Sequence, residues 1–146
     1  MLKETLKKLF ERDLKQLQIE INLYESEDHL WLMRAETKNS AGNLCLHLIG
    51  NLKHFLGATL NKNGFIRNRP AEFSSRTTKE DLMQGIDETL AVVLKTLDEL
   101  PEEKWQEIYP INVFGDAMTT EYFLVHLATH LGYHLGQINY HRRINL

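Results

Sequence analysis

The chain has 146 residues, 42% hydrophobic and 25% charged, with a formal net charge of −3 and a sequence pI near 6.2. These values fit one globular domain over residues 1–146 and exclude a global basic field for nucleic acid. No apolar run approaches the roughly 20 residues of a membrane span, and the charged opening MLKETLKKLFERDLK holds no signal-peptide apolar region. A single cysteine, Cys45, excludes an intrachain disulfide framework and fits a reducing compartment, so the expected location is cytoplasmic.

Residues 2–24 place Leu2, Leu6, Leu9, Phe10, Leu14 and Leu17 at mainly helical spacing among Lys and Glu, and predict a first helix. A connector follows, with a short turn expected around Leu30 to Met33. The second helix is predicted from an N-cap at Ser40 through AGNLCLHLIGNLKHFLGATL. NKNGFIRNRPAEFSSRT, rich in Asn, Gly, Pro and Ser, reads as a long loop, and such loops often carry function or an interface. Thr78 opens the third long helix, TKEDLMQGIDETLAVVLKTLDEL, with Asp81 completing a capping-box-like pair, and Pro101 closes it. PEEKWQEIYP supplies one further helical turn, INVFGDAM is irregular, and Thr119 or Thr120 caps the last helix. Four long helices without strand alternation define an all-α, four-helix-bundle fold.

The last helix carries four of the chain's seven histidines, at 126, 130, 134 and 141. On a helical wheel of about 100° per residue, Phe123, Leu124, Leu127, Leu131, Leu135 and Ile138 make an apolar face. His126, His130, His134, Gln137 and His141 form a polar stripe beside it. The second helix repeats the pattern: Asn43, His47, Asn51 and His54 gather opposite its leucines, with Gly50 among them and Lys53 near enough to suggest that part of the stripe is wet. Histidines one turn apart on a polar face are often only solvated. A second histidine-bearing stripe on another helix changes the balance, because two imidazoles from one helix and a third from a facing helix can complete a three-histidine site with open positions. Neutral imidazole suits zinc, nickel, copper or iron. Spacing alone leaves the 126/130 and 130/134 pairs as equal alternatives. Gly132 and Gly136 each cost about 1 kcal/mol against Ala inside a helix and point to close backbone approach, inside the bundle or across a dimer, or to a ligand. Cys45 lies on the apolar side of its helix and reads as a buried, inert thiol.

HLGYHLGQI resembles the H-x-x-x-H-x-G-Q signature near the C-terminus of DinB-superfamily (DinB/YfiT-like) proteins. LCLHLIGNLKHFL resembles their histidine-bearing second helix, and GFIRNRPAEF the loop of an uncharacterised DinB-like subgroup. The resemblance runs over nearly the whole chain. It implies a four-helix bundle, commonly a homodimer, in which three histidines hold a divalent metal. Carried residue by residue, the ligands would be His47, His130 and His134, which decides between the two pairs left open by spacing. Leu135 stands where many relatives have Arg before the glycine, so no role for that Arg carries over. His126, His54 and His141 match no ligand position.

The function expected on these grounds is that of a divalent-metal-dependent enzyme, with zinc or nickel as the cation, acting on a small-molecule substrate. Some superfamily members are bacillithiol transferases or mycothiol-dependent isomerases, which implies a low-molecular-weight thiol as co-substrate and a hydrolase or S-transferase-like reaction. Gln137 would orient a ligand from one turn beyond His134; Asn51 and His54 would line the pocket. The alternative is a non-catalytic metal-binding or dimeric interaction protein. A nucleic-acid partner is not expected: HRR at 141–143 is the kind of cation cluster that helix C-termini favour in any case.

Overall fold

In the computed structural model, which describes residues 1–34 and 36–145, the first helix, α1, spans Leu2–Asn22. It buries Leu6, Phe10, Leu14, Leu17 and Ile21, the steps of three and four that keep one face inward while Lys and Glu cover the other. After a 3-10 turn at Glu27–Trp31, helix α2 spans Ala41–Leu52, started by Ser40, whose hydroxyl accepts the Asn43 N–H at 3.1 Å. Helix α3 is short, Arg69–Ser74; α4 spans Lys79–Glu99 and α5 spans Thr120–Ile144. Thr78 and Thr119 cap α4 and α5 as the sequence suggests, and a 3-10 turn at Glu102–Gln106 follows Pro101.

Helices α1, α2, α4 and α5 form the expected four-helix bundle. Helix α1 packs on α4 and α5, and α2 packs on α3, α4 and α5. Helix α4 contributes Leu82, Ile86, Val93 and Leu97, and α5 contributes Phe123, Leu124, Leu127, Leu131 and Ile138, to one buried cluster. Truncating any of these to Ala would cost about 2–5 kcal/mol in lost burial and cavity formation. Among the described residues there is no strand, only an isolated antiparallel bridge between Ile108 and Thr119 that steadies the irregular 107–119 segment. No helix among them is long and apolar enough to cross a membrane.

Three expectations need correction. The 61–77 segment is not all loop: Asn68 accepts the Ala71 N–H at 3.2 Å and Pro70 sits in the first turn, so α3 starts where a proline was read only as punctuation. The second helix does not run as a plain α-helix to Leu60. Lys53–Ala58 is π-helical, with the Thr59 N–H bonded to the His54 carbonyl five residues back. That wider turn ends the periodicity on which His54 was aligned with His47. Finally, the polar stripe of α2 is not wet. Asn43, His47 and Asn51 are buried, because α3 lies over them, fastened by Asn43 Nδ2 donating to the carbonyls of Glu72 and Ser75 at 3.0 and 3.1 Å.

Candidate metal centre

Helix α2 presents His47, and α5 presents His130 and His134 from consecutive turns. The three rings offer nitrogens that all lie within 4.8 Å of one another, the arrangement of donors that a single ion needs. His47 Nε2 and His130 Nε2 are 3.3 Å apart. A tetrahedral ion with Zn–N bonds of about 2.0–2.1 Å would separate two of its ligands by about that distance. The rings of His130 and His134 meet edge to face at 4.5 Å between centroids, whereas His126 stands 6.1 Å from His130 and lies outside the cluster. It packs against Phe114 and Phe123 instead.

Two of the three rings are held through their Nδ1 atoms. His47 Nδ1 lies 3.0 Å from Glu72 Oε1, and both side chains are buried. Arg67 holds the same carboxylate through Nε to Oε2 at 2.8 Å and Nη2 to Oε1 at 3.0 Å. Burial alone would raise the Glu72 carboxyl; the hydrogen bonds from His47 and Arg67, with the Arg67 charge, outweigh it and hold Glu72 below the usual carboxylate range. Arg67 Nη2 also approaches His47 Nδ1 at 3.3 Å, but the shorter contact to an ionised carboxylate assigns the proton to Nδ1. With Nδ1 engaged by Glu72, His47 turns its Nε2 toward His130. His134 is set the same way: its Nδ1–H donates to Gln137 Oε1 at 2.7 Å, leaving Nε2 for the cluster.

Burial pushes His130 down to about 3, helped by the neighbouring His134, His47, His126 and Arg67. Burial also lowers His134, with Gln137 opposing the shift. Both shifts favour the neutral ring, the form whose lone pair a cation takes. His130 Nδ1 is buried without a partner.

Glu72 occupies its place because residue 50 is glycine. A Cβ on Gly50 would come 2.7 Å from Glu72 Cδ, a separation that real Cβ atoms do not show. A mid-helix glycine that costs about 1 kcal/mol in propensity is thus explained by the carboxylate seated against it. Gly132 and Gly136 have no such reason among the described residues: a Cβ on Gly132 would make only an ordinary 3.8 Å contact with Asp13, and one on Gly136 would meet none of them within 4 Å.

The remaining candidates fall apart from the cluster. Asn51 lines a cavity of about 200 Å³ next to His47 and His130. His54 does not line it; its ring packs edge-on against Phe55, and burial lowers its basicity. His141 is a core residue: Tyr24 Oη donates to its Nδ1 at 2.6 Å and its Nε2–H donates to the Leu32 carbonyl at 2.7 Å. Cys45 is fully buried and its thiol is pushed far up by burial, which suits packing and not nucleophilic attack. Glu72 and Arg67 escaped the sequence reading. The signals for them were the Asn68-Arg69-Pro70 helix start and the unexplained Gly50.

Two solved structures share this helical-bundle fold. One is the DinB-like protein YjoA of Bacillus subtilis, with a TM-score of 0.72 at 21% identity, covering 95% of this chain and 90% of that one. The other is a conserved protein of Enterococcus faecalis, with a TM-score of 0.76 at 16% identity, covering 96% and 94%. The chain belongs to the DUF1572 family of proteins of unknown function, which it matches over residues 2–144. Among curated proteins no sequence matches.

Proposed function

We propose that His47, His130 and His134 hold one divalent cation, zinc or nickel, and that the chain is a metal-dependent enzyme acting on a small molecule. The observation that carries this reading is the gathering of three imidazole nitrogens from two helices within 4.8 Å of one another. The 3.3 Å approach of the His47 and His130 Nε2 atoms is by itself also within hydrogen-bond reach; the nitrogen of His134 beside them makes the pair a three-donor set. The donor set fits: three imidazole nitrogens suit a borderline ion and leave part of its coordination sphere open. When bound, such an ion acts as a Lewis acid toward a small molecule.

The residues around the cluster supply the rest. Glu72 keeps the proton of His47 on Nδ1, and Gln137 does the same for His134, so both rings are fixed before a cation arrives. Arg67 keeps Glu72 ionised. The reaction class we assign, on the superfamily resemblance, is transfer of a low-molecular-weight thiol to a small electrophile.

A homodimer is part of the proposal and rests on α5. Tyr122, Val125, Tyr133, Tyr140 and Ile144 are exposed along one stripe with Gly132 and Gly136, and a second copy would cover it. The same stripe supports the second reading, a metal-binding interaction protein without catalysis.

Metal analysis of the purified chain beside His130→Ala tests the first claim. Stoichiometric metal in wild type and none in the variant is the expected result; no metal under any loading condition would end it. A cobalt-substituted protein whose visible spectrum shifts on adding thiol supports open coordination, whereas unfolding on chelation would mark a structural site. Thiol consumption with model electrophiles then reads the assigned reaction, and light scattering reads the dimer.

A further inference from the structure

The cavity beside the cluster carries more information than its position. Its lining includes Phe55, Phe114 and Phe123 as apolar surface, and Asn51, Arg67 and Arg69 as polar surface; no Asp or Glu reaches it. Arg67 is already ordered. Glu72 holds its Nε and Nη2, its guanidinium carbon lies 5.7 Å from the Phe55 ring centre, and its Nη1 has no partner among the described residues. A guanidinium has five N–H donors, so two bonds to Glu72 leave it able to give more. The Glu72 carboxylate balances Arg67, and Arg69, which has no carboxylate partner among the described residues, leaves the cavity with surplus positive charge.

Asn51 supplies an independent indication. It is only 6% exposed, and its Oδ1 is buried with no hydrogen-bond partner among the described residues. That oxygen is an acceptor and does not itself call for an anion. The other end of the amide, Nδ2, is engaged by no described residue, and at a cavity wall beside two cations it is the end suited to give its N–H to an anionic ligand.

We propose that this cavity is a subsite for a compact carboxylate on an apolar body. Arg67 and Arg69 take the carboxylate, Asn51 donates a further N–H, and the phenylalanines enclose the rest. The cavity lies below the roughly 300 Å³ at which pockets for drug-sized ligands begin, which limits the occupant to a small molecule. The inference rests on the metal reading only for the neighbouring reactive centre, and assigns that centre the chemical class of its substrate.

Calorimetry of the full chain with phenylacetate and with its neutral isostere phenylacetamide tests the subsite, in zinc-loaded and chelator-treated protein. The chelated form reports the protein donors without direct ligation of the carboxylate to zinc. The expected result is phenylacetate binding about tenfold or more tighter than phenylacetamide in both forms, as charge-assisted hydrogen bonds require. Arg69→Gln, at an exposed position, and Asn51→Ala, which breaks no hydrogen bond, should each weaken phenylacetate several-fold while zinc content and melting temperature stay as in wild type. Absence of phenylacetate binding, equal binding of the amide, or wild-type affinity in both variants would overturn the proposal. Charge discrimination in a chain that takes up no zinc would end the metal reading and leave the subsite standing. Zinc uptake with charge-blind binding would do the reverse.

Discussion

Helix α5 carries two histidine environments, eleven residues apart, at buried His141 and at half-buried His130, and they are built on opposite principles. At His141 both ring nitrogens are occupied within the protein, one by the Tyr24 hydroxyl and one by the Leu32 carbonyl. At His130 one nitrogen has no partner and the other faces the Nε2 of His47. The two sites share a residue type and a helix. They differ in whether the polar atoms are satisfied by the fold. A complete hydrogen-bond inventory marks a residue that holds structure together; His130 lacks one, and it contributes to the three imidazole nitrogens gathered within 4.8 Å.

The comparison can be broken most sharply by exchanging the two losses. His130→Ala should lower metal affinity by more than about 100-fold, beyond the 10–100-fold typical of losing a supporting partner, with the melting temperature little changed. Metal content after gel filtration and circular dichroism read both. His141→Ala should do the converse: full metal content, but stability lower by about 2–3 kcal/mol in urea, because the Tyr24 hydroxyl loses its shorter hydrogen bond and the Leu32 carbonyl loses its side-chain donor. If His141→Ala also stripped the metal, the division between the two sites would fail.

Smaller changes sharpen it. Glu72→Gln removes the charge that fixes the His47 tautomer and should weaken metal binding about 10–100-fold in a chelator competition. Gln137→Leu removes an exposed partner of His134 and should cost about tenfold or less in the same assay.

The least effect belongs to Glu20, the structural counterpart of Glu72, buried between α1 and α5. Burial raises its carboxyl, but bonds from Asn139 and Arg142 and the Arg142 charge more than offset this and leave it lowered. A lowered folded value means that its contribution is present above the unfolded value of about 4.3 and lost as pH falls through the folded one. Glu20→Gln should therefore flatten the fall in stability below about pH 4, and an unchanged acid limb in urea melts would exclude the assignment.

The bundle was legible because its signal is periodic. Steps such as Leu6, Phe10, Leu14 and Leu17 survive any error at the ends, and Ser40, Thr78 and Thr119 have the short oxygen side chains that start helices. The convergence of His47 with His130 and His134 was half legible. Spacing supplied the candidates, while the choice of pair came from the family resemblance and not from the periodicity. Arg67 and Glu72 were not legible from periodicity at all, since they lie in a segment too short and too rich in turn residues to show any. His54 was misaligned because a π-helical turn changes the spacing without changing the residue types. The His141 bonds depend on Tyr24 and Leu32, more than a hundred residues away, a contact that no local pattern encodes.

The carboxylate seated against Gly50 couples two parts of the chain that would otherwise vary independently. Adding one methyl group at position 50 would expel Glu72, and shortening position 72 to Asp would make room again but withdraw the oxygen from His47. Neither single step keeps both the fit and the tautomer, so drift in the 61–77 segment is confined by a helix surface that a reader of either segment alone would consider replaceable.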